Sequence, residues 1–238
     1  MYLSVIIPAY NEEKRIEKTL LSVHEYLSRQ SYDYEVIVVN DGSSDNTVVA
    51  VQCLTPNIQH LRVIDNKKNH GKGWAARQGM LEAQGDYRLF MDADNATTID
   101  HLEKFWPHIE SGYGVVIASI AVKGAEVAST EKFYKRFLGK LGNIWIQFWA
   151  VPGIHDTQRG FKLFSAKAAQ DIFPKLKITR WGFDIEILAL ARKFGYKIKE
   201  VPIKWINDPE SKVRPSAYFQ VLLETLKIRW WLWRGEYH

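Results

Sequence analysis

The chain has 238 residues, 46% of them hydrophobic and 25% charged, which supplies one large α/β core and excludes a disordered chain. Its formal net charge of +5 falls short of a nucleic-acid signature and suits anionic small ligands or an anionic membrane surface. A single cysteine, Cys53, excludes an internal disulfide, makes a poor start for a zinc site, and points to reducing, cytosolic surroundings.

In chain order, Leu3 to Pro8 reads as a short buried strand with no signal-peptide pattern before it. Ile16, Leu20, Val23 and Leu27 recur at helical spacing. Glu35 to Val39 is a second strand, followed by a helix from about Asp45 to Cys53 in which the cysteine reads as a small core residue. Leu61 to Ile64, a helix from Gly73 to Gln84, and a strand from Asp86 to Met91 come next. Leu102, Phe105, Trp106 and Ile109 mark another helix, and Val115 to Ala118 another strand. This β-α-β-α alternation predicts a mostly parallel, Rossmann-like sheet with helices on both faces.

The remainder is less regular. Gly124 to Ser129 is a small-residue stretch that reads as a mobile loop. Phe133, Phe137, Leu141, Ile144 and Phe148 form a stripe on a long helix that also carries Lys132, Lys135, Arg136 and Lys140. Phe183 to Phe194 reads as a helix, Lys197 to Ile206 as a strand broken at Pro202, and Pro215 to Trp233 as an amphipathic C-terminal helix. No run of 18 apolar residues exists, so the chain is not expected to span a membrane.

Four polar clusters directly follow four of these strands: Pro8-Ala-Tyr-Asn-Glu12, Asn40-Asp-Gly-Ser-Ser-Asp45, Asn66 to Gly73, and Asp92-Ala-Asp94. A parallel sheet brings its strand C-termini to one edge, where ligands bind, so the four clusters should line one site. Each alone is also ordinary turn or cap chemistry. Asp92 and Asp94 end an apolar run, Leu89-Phe-Met91, that buries the strand and presents both carboxylates. Such a pair can share Mg²⁺ or Mn²⁺, hard cations that take oxygen ligands together with substrate phosphates. Gly71-Lys-Gly73 lets backbone approach phosphate, with Lys72 and Arg77 supplying charge. The same stretch, extended to Ala76, matches a loose dinucleotide fingerprint, so an NAD-dependent oxidoreductase is a rival. It leaves Asp94 and the first two clusters without a role.

Together with Asp156-Thr-Gln-Arg-Gly-Phe-Lys162, Trp181-Gly-Phe-Asp-Ile-Glu186 and Ser211-Lys-Val213, these clusters resemble the motif series of family 2, GT-A-fold glycosyltransferases over nearly the whole chain. The later motifs resemble the dolichyl-phosphate glucosyltransferase and mannosyltransferase types, closer to the glucosyl type. The resemblance implies a single GT-A domain over 1–238, with 1–118 binding the nucleotide-sugar and 119–238 the acceptor. It implies Pro8, Tyr10, Glu12 and Asp41 around the nucleotide, with Asp41 on its base or ribose. Lys72 and Arg77 would lie near its phosphates, Asp92 at the donor, and Asp94 on the metal. Asp156 would be a candidate base, and Arg159, Lys162, Ser211, Lys212 and Arg214 would face the acceptor phosphate. Related mannosyl enzymes carry a glutamine shortly after the Asp-x-Asp, where this chain has Asn95-Ala96.

The expected reaction is a single inverting displacement that moves a hexose, with UDP-glucose favoured by the resemblance, onto a polyprenyl phosphate. GDP-mannose as donor, or a glycan or glycolipid hydroxyl as acceptor, is the alternative, and a non-catalytic nucleotide-binding module is a remote one. A phosphate monoester arrives largely dianionic near neutral pH, whereas a hydroxyl needs a general base. Asp156, Asp184 and Glu186 are the base candidates. On the last helix Phe219, Leu222, Leu223, Leu226, Trp230 and Trp233 alternate with Lys227, Arg229 and Arg234, which fits peripheral attachment to a membrane from the cytoplasmic side. The same stripe read as core packing or as a homodimer contact is equally ordinary.

Overall fold

The computed structural model describes residues 1–127, 133–206 and 215–238; side chains of 133–138, 140 and 215 are outside the description. Ser211, Lys212 and Arg214, expected at the acceptor phosphate, lie outside it, as do Ser129 and Lys132. Strands β1 (Leu3–Ala9), β2 (Tyr34–Asp41), β3 (Leu61–Asn66), β4 (Tyr87–Met91), β5 (Val115–Ser119), β7 (Phe161–Ser165) and β8 (Ile198–Pro202) build one sheet. Its order is β3-β2-β1-β4-β7-β5-β8. All neighbours pair in parallel except β7, which runs antiparallel to both β4 and β5. A separate two-stranded sheet joins β6 (Glu126–Val127) to β9 (Lys204–Trp205).

The first strands are apolar without alternation because both faces are covered. Ile6, Ile37, Val39 and Phe90 point to one layer, packed by α3 (Lys72–Glu82), α6 (Ala166–Ile172) and α7 (Phe183–Lys193). Val5, Ile7, Val38 and Leu89, their neighbours along each strand, point to the other layer. There they meet α1 (Ile16–Leu27), α2 (Thr47–Leu54) and the residues around α4 (Trp106–Glu110). Strands β7 and β8, from the second part of the chain, complete the sheet begun by the first.

Three sequence expectations change. The helix read across Leu102 to Ile109 is a 3-10 turn, Ile99–Lys104, followed by the short α4, with Pro107 at its start. The proline ring disfavours helical geometry in the residue before it and cannot donate to the preceding turn. Cys53 is exposed, because α2 buries only Thr47 and Val51. The strand β7 and helix α6 were not anticipated, since Lys162 interrupts the apolar run of Phe161–Ser165. The break expected at Pro202 is present and divides two sheets: β8 ends there and β9 pairs elsewhere.

Helices α5 (Phe133–Trp149) and α8 (Pro215–Trp233) pack against each other. On α8, Ala217, Val221, Glu224, Thr225 and Ile228 face inward, and Glu224 accepts the Gly182 amide at 2.8 Å. The opposite face leaves Phe219, Leu223, Trp230 and Trp233 exposed, with Trp233 at 73%, and α5 exposes Ile144 and Phe148 beside it. Core packing therefore does not account for the outer stripe.

The C-terminal tail is pinned by one buried carboxylate. Glu186 accepts the amides of Lys177 and Ile178 at 3.0 and 2.8 Å and the Tyr237 hydroxyl at 2.6 Å. Burial raises its pKa, offset in part by those donors. Glu186→Ala would strand all three donors, each costing about 1–3 kcal/mol. We expect urea denaturation to show a loss of roughly 3 kcal/mol or more, with Tyr237→Phe losing about 1 kcal/mol.

Candidate active site

The four polar clusters meet at one sheet edge, and each is bonded to the next. At the end of β1, Asn11 takes a left-handed conformation, φ 55°, one that asparagine tolerates well. Its amide donates to Ser43 Oγ at 2.9 Å, and its side-chain oxygen accepts the Ser44 amide at 2.8 Å. The Glu12 amide donates to Thr47 Oγ1 at 2.7 Å. At the end of β2, the Asp41 carboxylate accepts the amides of His70 and Gly71, both at 2.8 Å. Asp41 is buried by this arrangement, so its carboxylate shapes the loop after β3 rather than standing open to a base or ribose. Gly71, φ 108°, begins α3, and a Cβ there would lie 2.4 Å from the Thr179 carbonyl oxygen. The next residue, Lys72, extends to Asp92 Oδ1 at 2.6 Å, joining the third cluster to the fourth.

Pro8 is buried in β1, and Tyr10 is exposed just beyond it. The Glu12 carboxylate pairs with Arg15 at 2.6 Å. Arg77, expected near phosphate, lies elsewhere. Its guanidinium donates to the carbonyls of Phe173 and Pro174 at 3.0 and 3.1 Å, because its position in mid-α3 carries it away from the strand ends and onto the turn after α6.

The second part of the chain approaches the carboxylates through β7. The Asp92 amide donates to the Gly160 carbonyl at 2.9 Å. A Cβ at Gly160 would stand 2.0 Å from the Asp92 carboxylate and would displace it. Beside it, Arg159 donates to Asp156 Oδ2 at 3.0 Å and lies over the Trp205 ring, 4.6 Å from its centre. Asp92, Asp94, Thr97, Gln158, Arg159 and Trp205 surround a recess of about 120 Å³. Trp205, from β9, belongs to this recess.

None of the three base candidates stands open. Asp156 is buried; it accepts the Ile120 amide at 2.9 Å and holds Arg159. Asp184 is buried against Lys162 at 2.6 Å. Burial pushes the Asp184 pKa up, while Lys162 and Lys72 pull it back. Glu186 holds the C-terminal tail. Lys162, expected on acceptor phosphate, is wholly buried in β7, with its ammonium on Asp184 and on the Arg159 carbonyl. The sequence reading gave no role to Glu200. This half-buried β8 carboxylate accepts the amides of His155 and Asp156 at 2.9 and 3.0 Å and so sets the loop that carries Arg159. No spacing or motif marked it, because its partners are backbone groups more than 40 residues away.

The carboxylate pair fits a hard divalent cation. Asp92 Oδ1 is buried and accepts no hydrogen bond, with only the Lys72 charge against it. Burial, then the charge of Asp92, raise the Asp94 pKa above the ordinary 3.8. The described residues provide no group of three or more His, Cys, Asp or Glu at metal-binding distance. The rest of a coordination shell would come from water and phosphate oxygens, as is usual for Mg²⁺.

A family-wide sequence model, glycosyl transferase family 2, matches residues 4–173. The chain belongs to this family. This family 2 glycosyltransferase is 36% identical over 239 residues to a dolichyl-phosphate beta-glucosyltransferase of Trichomonas vaginalis, covering 96% of this chain and 71% of the relative. It is 35% identical to the dolichyl-phosphate beta-glucosyltransferase of Homo sapiens, covering 95% of this chain and 74% of that one. Its fold is similar to that of glucosyl-3-phosphoglycerate synthase from Mycobacterium tuberculosis in complex with UDP: TM-score 0.71 and 18% identity, covering 96% of this chain and 80% of the other. A mannosyltransferase from Pyrobaculum calidifontis in complex with GDP-Man and Mn²⁺ has TM-score 0.59 and 19% identity, covering 95% and 69%. The fold is GT-A, the enzyme is a hexosyltransferase, and the oxidoreductase reading falls.

The raised Asp94 pKa gives a stability test. Its stabilising contribution is present at low pH and is lost as pH rises through the folded-state value. Without added cation at neutral pH, Asp94→Asn should therefore melt above the wild type, and the gap should close as acid protonates Asp94. The same variant should bind Mn²⁺ at least about tenfold more weakly, read by calorimetry in the presence of UDP.

Proposed function

We propose that this enzyme transfers glucose from UDP-glucose to a polyprenyl, dolichyl-type phosphate at a membrane surface, with inversion. The observation that carries the acceptor is that, among the described residues, none of the three base candidates stands open. Asp156, Asp184 and Glu186 are each committed to donors of the protein itself. An acceptor that must be deprotonated on the enzyme fits such a site poorly. A phosphate monoester, with a second pKa of about 6, brings its own nucleophilic charge. The glucosyl and dolichyl identities come from the relatives.

In this reading the whole chain acts as one domain. Pro8, Tyr10 and Glu12 surround the nucleotide together with the loop that Asp41 shapes. Asp94 and Asp92 would hold Mg²⁺ or Mn²⁺, which would supply the counter-charge to the diphosphate. Lys72 faces the diphosphate from the start of α3, where a helix N-terminus also favours anions. Arg159, oriented by Asp156 and by Trp205, draws the acceptor phosphate toward the recess. The chain aligns the incoming oxygen with the anomeric carbon, and no covalent enzyme intermediate is needed.

The outer faces of α5 and α8 support membrane attachment. Phe148, Phe219 and Trp233 are 72–75% exposed, and Arg234 lies over Trp230 at 5.5 Å. Aromatic rings beside cations suit the interface between headgroups and chains. No helix among the described residues is long and apolar enough to cross a membrane.

Incubation with labelled UDP-glucose, polyprenyl phosphate and Mn²⁺ should move label into an organic-extractable lipid; GDP-mannose should give little. Label appearing only on a glycan hydroxyl would reject the acceptor assignment. A Trp230→Ser, Trp233→Ser double variant should float with anionic vesicles at least about fivefold less than wild type.

A further inference from the structure

Lys72 lies among more negative charge than any phosphate-binding role requires. Its ammonium is 2.6 Å from Asp92 Oδ1, and Asp184 and Asp94 add to the field around it. The rings of Phe90 and Trp181 lie 5.6 and 5.7 Å from it. Lys162, the neighbouring buried cation, is already committed to Asp184 and the Arg159 carbonyl. The charge that bears on Asp92 is therefore that of Lys72.

The backbone beneath Lys72 has little room to move. The Gly71 amide is held by Asp41, the Trp74 amide donates to the Thr179 carbonyl at 3.1 Å, and a Cβ at Gly73 would strike Phe183 at 2.6 Å. The lysine side chain is a flexible four-carbon stem, so its ammonium can turn while its Cα stays in place. An ammonium and a divalent cation on one carboxylate repel each other at contact distance. They compete for Asp92.

We infer that Lys72 is a built-in counter-ion: it shields Asp92 from a free divalent cation and turns away only toward the anionic diphosphate of the incoming donor, so that cation and nucleotide bind as a couple. This rests on reading the site as one for a nucleoside diphosphate. The counter-ion role makes removal of Lys72 act in opposite directions on the two ligands.

Mn²⁺ titration of the full chain, followed by electron paramagnetic resonance with and without UDP, tests this. In the absence of nucleotide, Lys72→Met should bind Mn²⁺ at least about fivefold more tightly than wild type, and Lys72→Arg within about twofold of it. The strengthening of Mn²⁺ binding by UDP should be large in wild type and shrink in Lys72→Met, whose UDP affinity should fall. Lys72→Gln carries the same expectation if Lys72→Met fails to fold. Neutral variants that bind Mn²⁺ alone no more tightly than wild type would overturn the counter-ion role. Failure of UDP to strengthen Mn²⁺ binding in wild type would instead overturn the nucleoside-diphosphate reading beneath it.

Discussion

A parallel sheet delivers its strand ends to one edge, and here those ends are acidic. Asp41, Asp92 and Asp94 follow β2 and β4, and Asp184 enters the same region from α7. Like charges so arranged destabilise one another unless each is given a donor or a cation. The structure meets that constraint locally. Asp41 takes two loop amides, Asp92 takes Lys72, and Asp184 takes Lys162. Asp94 accepts the Ala96 amide at 3.0 Å, and burial with the neighbouring Asp92 charge raises its pKa.

The second part of the chain serves the same constraint from the other side. Strand β7 enters the sheet antiparallel, between β4 and β5. This brings the residues just before β7 beside those just after β4, so Gly160 meets Asp92. A strand in the parallel sense would have put the opposite end of the segment there. Glu200, Asp156, Arg159 and Trp205 then form a supported series leading to the recess, with Glu200 reaching it from β8. Arg159 is consequently a pre-oriented cation, not a loose surface one.

Helix α8 joins this site to its outer face. Its inner side grips Gly182 through Glu224, one residue from Trp181, whose ring lies beside Lys72. Its outer side presents Phe219, Leu223, Trp230 and Trp233. An apolar groove of about 310 Å³, lined by Trp149, Leu226, Arg229, Trp230 and Trp233, runs between it and α5. The Lys72 region and the aromatic face thus share one mechanical element.

The residues alone determined the strand–helix alternation of the first 118 positions, because continuous apolar runs and 3.6-residue spacing are local signals. They also determined that the clusters at Glu12, Asp41, Lys72 and Asp92 share one edge, since parallel pairing leaves no other arrangement. Which polar groups stay open within that edge was decided only by tertiary structure. Asp41, Asp156, Asp184 and Arg77 carry the right chemistry in sequence, yet each is bonded to groups 22 to 97 residues away. Burial and long-range partners determine whether a charge faces a ligand or the protein, and neither is written in local spacing. The same reason hid β7, whose buried lysine reads as a surface residue until Asp184 is seen beside it.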